Sequence, residues 1–148
     1  MRNLFEAEAR TEVLNRIDKV NAQSQRQWGE MSVDQMLWHM NRAMSFSMGE
    51  YPINYKANWF VKTFFKGYVL GNSPFPKGGA KTIVEFKATG KYDIETEKKR
   101  LKDYVEQYSK LGDKKDWPES PLLGKLKGTD WARLNYKHID HHFKQFGV

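Results

Sequence analysis

Tyr136-Lys137-His138-Ile139-Asp140-His141-His142-Phe143-Lys144-Gln145-Phe146 is the stretch on which the fold turns, and it holds three of the four histidines in the chain. Upstream, Thr129 is the expected N-cap of a helix and Asp130 sits in its first turn, where a carboxylate suits the helix dipole. Trp131, Leu134, Tyr136, Ile139, Phe143 and Phe146 supply apolar surface on more than one side. One seam differs. Asn135, His138, His142 and Gln145 recur at spacings of 3, 4 and 3 residues, so all four project to one face. A seam that enters a core normally carries Leu and Ile. Four hydrogen-bonding groups there need partners, because an unpaired buried polar group costs about 1–3 kcal/mol.

Histidines at i and i+4 of a helix place their Cβ atoms about 6 Å apart on one face, close enough to share a metal ion. His138 and His142 have this spacing. His141, at i+3, also satisfies it, although the seam places His142 inward with Asn135 and Gln145 and His141 at the edge. The remaining histidine, His39, lies in Met36-Leu37-Trp38-His39-Met40, on the stripe of Met36, Met40, Ala43, Met44 and Ser47. Three neutral imidazoles leave at least one coordination position open, a feature of catalytic rather than structural sites. The plainer alternative is a His-x-x-x-His pair on a solvated face, with His39 a core histidine bonded to its surroundings. Asp140 falls about 200° round the helix from the inward pair and is a poor general base for it. Asn135 and Gln145 are candidates to orient the rings, or else pair across the helices. Trp38 and Trp131 either line a pocket mouth or pack in the core.

The rest of the chain is consistent with one all-α domain over residues 1–148. Its 148 residues are 39% apolar, with no cysteine, so disulfides, thiolate ligands and a catalytic protein thiol are excluded. The first residues carry no apolar h-region and no stretch approaches the roughly 20 apolar residues of a membrane span, so a cytoplasmic protein is expected, with no membrane partner. The net charge of +7 is spread out and interrupted by acids, as in Glu95-Thr96-Glu97-Lys98-Lys99-Arg100. That pattern describes a solvated basic surface rather than a nucleic-acid interface.

Four helices account for the pattern. Val13, Leu14, Ile17 and Val20 give the first, over residues 6–22. Ser32 and Gln35 form a capping-box signature for the second, which Gly49 and Pro52 end. Asp93 caps the third, with Leu101, Tyr104, Val105, Tyr108 and Leu111 buried and Gly112 as its stop. The closing helix is the fourth. Residues 50–92 form a long aromatic-rich connection between the second and third, in which Trp59, Phe60, Phe64, Phe65, Tyr68 and Val69 are expected to make a short helix packed as a flap over the core. Gly71 to Gly79 reads as a loop without the Gly-Lys-Ser/Thr ending of a phosphate loop, and Ile83-Val84-Glu85-Phe86 as an extended segment. Residues 113–128 form a second irregular connection. A four-helix bundle follows, with the long connection allowing the third helix to run parallel to the second.

Trp28-Gly29-Glu30-Met31-Ser32-Val33-Asp34-Gln35-Met36-Leu37-Trp38-His39, with Leu123-Gly124-Lys125-Leu126, Trp131 and His138 to Gly147, resembles the DinB/YfiT-like superfamily, more narrowly a branch carried as a domain of unknown function. The resemblance implies an up-down-down-up four-helix bundle with a divalent metal ion (Zn, Ni or Fe) held by His39, His138 and His142. The branch often has a His-Pro ahead of a Phe-Gly, where this chain has Ser120-Pro121-Leu122-Leu123-Gly124. Characterised relatives include metal-dependent transferases and isomerases that use a low-molecular-weight thiol. The expected function is therefore a metal-dependent enzyme acting on a small-molecule substrate, a thiol S-transferase first. A metal-dependent hydrolase and a non-catalytic metal- or ligand-binding bundle linked to stress are the alternatives. A homodimer through the aromatic segment is a further expectation.

Overall fold

A computed structural model describes residues 2–54, 57–78, 83–112 and 114–148, without the side chain of Val61. Gly79 and Asp113, which the sequence places in connections, lie outside the described residues. Five α-helices and two 3-10 turns make up the regular structure, with no strand among the described residues. The fold is all-α.

Helix α1 (Ala7–Lys19) buries Ala9, Val13 and Ile17 at four-residue spacing. It is shorter than its apolar pattern suggests, because Val20 leaves the helix in an extended conformation while staying buried. Helix α2 (Val33–Ser47) begins at Ser32 with the expected capping box; the Ser32 N–H donates to Gln35 Oε1 at 3.1 Å. It stops before Gly49, whose φ of 83° favours glycine. Helix α3 (Trp59–Leu70) follows, then a 3-10 turn, Val84–Phe86, where the sequence suggested an extended segment. Helix α4 (Ile94–Gln107) is capped by Asp93, which accepts from the Thr96 N–H at 2.8 Å, and runs into a second 3-10 turn, Tyr108–Lys110. Helix α5 (Gly128–Gln145) is capped two residues earlier than expected. Lys127 takes the cap, its N–H donating to Asp130 Oδ2 at 3.0 Å, so Thr129 lies inside the first turn.

Helices α1 and α2 each pack against both α4 and α5. Val13, Ile17, Met36, Leu37, Met40, Met44, Leu101, Val105, Ile139 and Phe143 fill the space between them. Arg16 ties α1 to the end of α5, donating to Asp140 Oδ1 at 2.8 Å and the Val148 carbonyl at 2.9 Å. A smaller cluster, Phe46, Val69, Leu123, Leu126 and Trp131, anchors α3 and the 120–126 segment. Trp131 is thus a core residue, not part of a pocket mouth.

The aromatic helix is not a packed flap. Trp59, Phe60 and Phe64 are 69%, 66% and 76% exposed. Val69 is the buried anchor of α3, while Lys62 reaches Glu119 at 3.2 Å and Lys66 donates to the Lys125 carbonyl at 2.8 Å. These three lie on one side of the helix and fix its rotation, which turns the aromatic rings outward. No helix among the described residues is long and apolar enough to cross a membrane.

Removing the Phe143 ring should lower the unfolding free energy by about 3–5 kcal/mol, as for other buried Phe→Ala changes. Phe64→Ser should change it by less than about 0.5 kcal/mol. Urea denaturation of the two variants checks this placement; equal losses would contradict it.

Candidate metal centre

Helices α2 and α5 face each other across the core, and their inward seams bring His39 against His138 and His142. The three ring centroids lie 4.6–4.9 Å apart. His39 Nε2 is 2.9 Å from His138 Nε2, and His142 Nε2 is 3.0 Å from the same atom. One ligand atom from each ring lies within 4.8 Å of the others, a grouping able to hold a metal ion. His39 and His142 are buried and His138 is half-buried.

The outer ring nitrogens decide what faces inward. His39 Nδ1 is 2.8 Å from the Phe86 carbonyl. A carbonyl only accepts, so Nδ1 carries the proton and Nε2 keeps its lone pair. His142 Nδ1 is 2.8 Å from Gln145 Oε1. The amide orientation is fixed independently, because Gln145 Nε2 donates to the Trp28 carbonyl at 2.7 Å. His142 therefore also carries its proton on Nδ1. Two lone pairs point at His138 Nε2 from different helices.

That donor set fits a divalent ion. Two nitrogens each about 2.1 Å from one ion are about 3.0 Å apart at a right angle and about 3.4 Å apart at the tetrahedral angle. The observed 2.9 and 3.0 Å match the first. In the metal-free protein His138 satisfies both neighbours by carrying its proton on Nε2.

Burial keeps the three rings neutral. Desolvation is the main cause in each case. It lowers His39 against the opposing pull of the Phe86 carbonyl. It pushes His142 down to about 3, with His39 adding to the shift and Gln145 resisting it. His138 falls well below the ordinary value through burial and then through its two partners. Neutral imidazole is the metal-binding form.

The chain belongs to the DUF1569 family. The model of that family, described as a protein of unknown function, matches residues 2–147. No curated protein and no solved structure matches the chain significantly.

In this DUF1569 chain the remaining candidates fall on both sides of the expectation. Gln145 touches a ring, as described. Asn135 does not: its amide nitrogen donates to Ser47 Oγ at 2.8 Å and to the Tyr108 hydroxyl at 2.6 Å, joining α5 to α2 and the turn after α4. His141 stays outside the group, its ring edge-on to Trp28 and Phe75 at 5.7 Å each. Asp140 faces Arg16 and Lys144, each at 2.8 Å, away from the histidines. Trp38 stacks on Tyr92 at 5.1 Å. The residues that sequence reasoning missed, Phe86 and Trp28, act through backbone carbonyls. The structure marks the second at its neighbour. Gly29 has φ of 80° and sits so close to Gln145 that a Cβ would overlap its amide nitrogen.

Two measurements follow from the buried neutral rings. Nitrogen-15 spectra of metal-free protein should show His39 and His142 as Nδ1–H tautomers and His138 as Nε2–H; an Nε2–H signal on His39 would contradict the Phe86 bond. An unfolded histidine takes up a proton near 6.5 and the folded rings resist it, so the unfolded chain binds more protons below that pH. Stability is then complete above pH 6.5 and is lost as pH falls toward the folded values. The urea midpoint of metal-free protein should be level from pH 8 to 7 and drop steadily to pH 5; a flat profile would argue against buried neutral rings.

Proposed function

We propose that this chain is a metal-dependent enzyme of the DinB/YfiT-like type. In this reading α1, α2, α4 and α5 form an up-down-down-up four-helix bundle, the long 48–93 connection letting α4 run parallel to α2. His39, His138 and His142 hold a divalent zinc, nickel or iron ion. The observation that carries the reading is the pair of outward Nδ1–H bonds, to Phe86 and Gln145, which commit two lone pairs to one point. A divalent ion bound there would lower the pKa of a water or thiol reaching its open side, supplying a nucleophile at neutral pH without a protein cysteine.

The chain's own residues do the rest. Phe86 and Gln145 hold the rings in orientation, and Trp28 holds Gln145. The surrounding helices keep water from two of the three rings, and His138 is where the group comes nearest to solvent. Thiol transfer stands first on the DinB/YfiT-like resemblance. An ion held there would activate a water as well as a thiol, so a metal-dependent hydrolase is the second reading.

Metal analysis of untagged protein tests the site. The native chain should carry about one divalent ion, and His39→Ala, His138→Ala and His142→Ala should each lose it while keeping their helical content. Gln145→Leu should weaken metal affinity about 10–100-fold, as loss of a group orienting a ligand does. Retention of metal by all three alanine variants would remove the proposal. A loaded native protein that turns over no electrophile with any thiol in a panel would reduce it to a non-catalytic metal-binding bundle.

A further inference from the structure

On the side of α2 that meets α4, a cavity of about 210 Å³ is lined by residues of α2, of the turn that follows it and of α4. None of them belongs to the histidine group. All but one of the lining side chains, Trp38, are polar or charged, and Glu50, Tyr104 and Arg100 have partners. Glu50 Oε2 accepts from the Tyr104 hydroxyl at 2.6 Å. Burial and Glu50 raise that phenol to about 12, so it stays a donor. Arg100 Nη1 pairs with Glu97 at 3.3 Å, and Glu97 also accepts from Asn41 Nδ2 at 2.6 Å.

Arg42 is the exception. Its guanidinium carbon lies 3.3 Å from the Tyr51 ring centroid and 5.8 Å from that of Trp38. The guanidinium packs against these rings, and among the described residues no hydrogen bond or ion pair holds its Nη groups. Its Nε is buried without a partner, and so is Oδ1 of the adjacent Asn41. A buried guanidinium N–H without an acceptor is a costly arrangement for a folded chain.

We propose that this cavity binds a small organic carboxylate, its oxygens on the Arg42 edge and its body against the aromatic walls. Three properties narrow the class. The arginine fork matches a carboxylate in two parallel hydrogen bonds. The cavity of about 210 Å³ has room for the body of a small organic acid. The wall also carries Glu50, whose partner is the neutral Tyr104 hydroxyl, so a monoanion meets less repulsion there than a dianionic phosphate.

The test is a titration of the full-length, metal-free chain followed by the Arg42 Nε–H and Trp38 indole signals. Benzoate, acetate, inorganic phosphate and chloride are the probes, at matched ionic strength. Benzoate should shift both signals saturably with Kd of about 1 mM or tighter, and phosphate should bind at least about tenfold more weakly. Arg42→Lys keeps the charge and loses the fork, and should weaken benzoate by about tenfold or more. Tyr51→Leu, outside the helix, should weaken it through loss of the backing ring. The proposal is overturned if no probe saturates, if Arg42→Lys binds benzoate as the native chain does, or if phosphate or chloride matches benzoate, which would mark an adventitious ion only. Because His39, His138 and His142 are untouched throughout, the outcome is independent of whether those histidines bind metal.

Discussion

Imidazole lone pairs repel when they converge, and a folded chain brings them together only if something holds the rings from behind. Here that hold is two hydrogen bonds on the far side of the group. The Phe86 carbonyl takes the Nδ1 proton of His39, and the Gln145 amide takes that of His142. Each bond fixes a tautomer as well as an orientation. Without them either ring could turn its protonated nitrogen inward and the convergence would disappear. The 3-10 turn that presents Phe86 and the segment that presents Trp28 therefore belong to the site as much as the helices do.

Both supports come from irregular backbone, which explains what could be read in the sequence and what could not. The inward seam of α5 was legible because side chains at spacings of 3 and 4 carry their identity with them. His39 was legible because it shares a stripe with Met36 and Met40. A carbonyl carries no such mark, so Phe86 gave no signal and its segment read as extended. Asn135 illustrates the opposite error. Its place on the seam was right, but a seam fixes direction and not depth along the helix, and a turn earlier it meets Ser47 and Tyr108 instead of a ring. The rotation of α3 was also hidden. Its composition announces an apolar helix, yet two long lysines and a single valine decide which way the rings point.

The three histidines are not equivalent. His39 and His142 are buried and each is braced from behind, while His138 is half-buried and stands between them. It contacts both neighbours, so its single Nε2 meets the two braced rings at once. The Arg42 cavity follows a similar logic with a different charge, a cation set against aromatic rings with a buried N–H left unpaired.

The glycine at position 29 gives the histidine group a footprint wider than its own residues. It touches no histidine, yet the Gln145 amide occupies the space that any side chain there would need. A side chain at position 29 would have to push the Gln145 amide off its place, and a φ of 80° would strain it besides. The turn ahead of α2 thus guards the tautomer of His142 from the other end of the sequence.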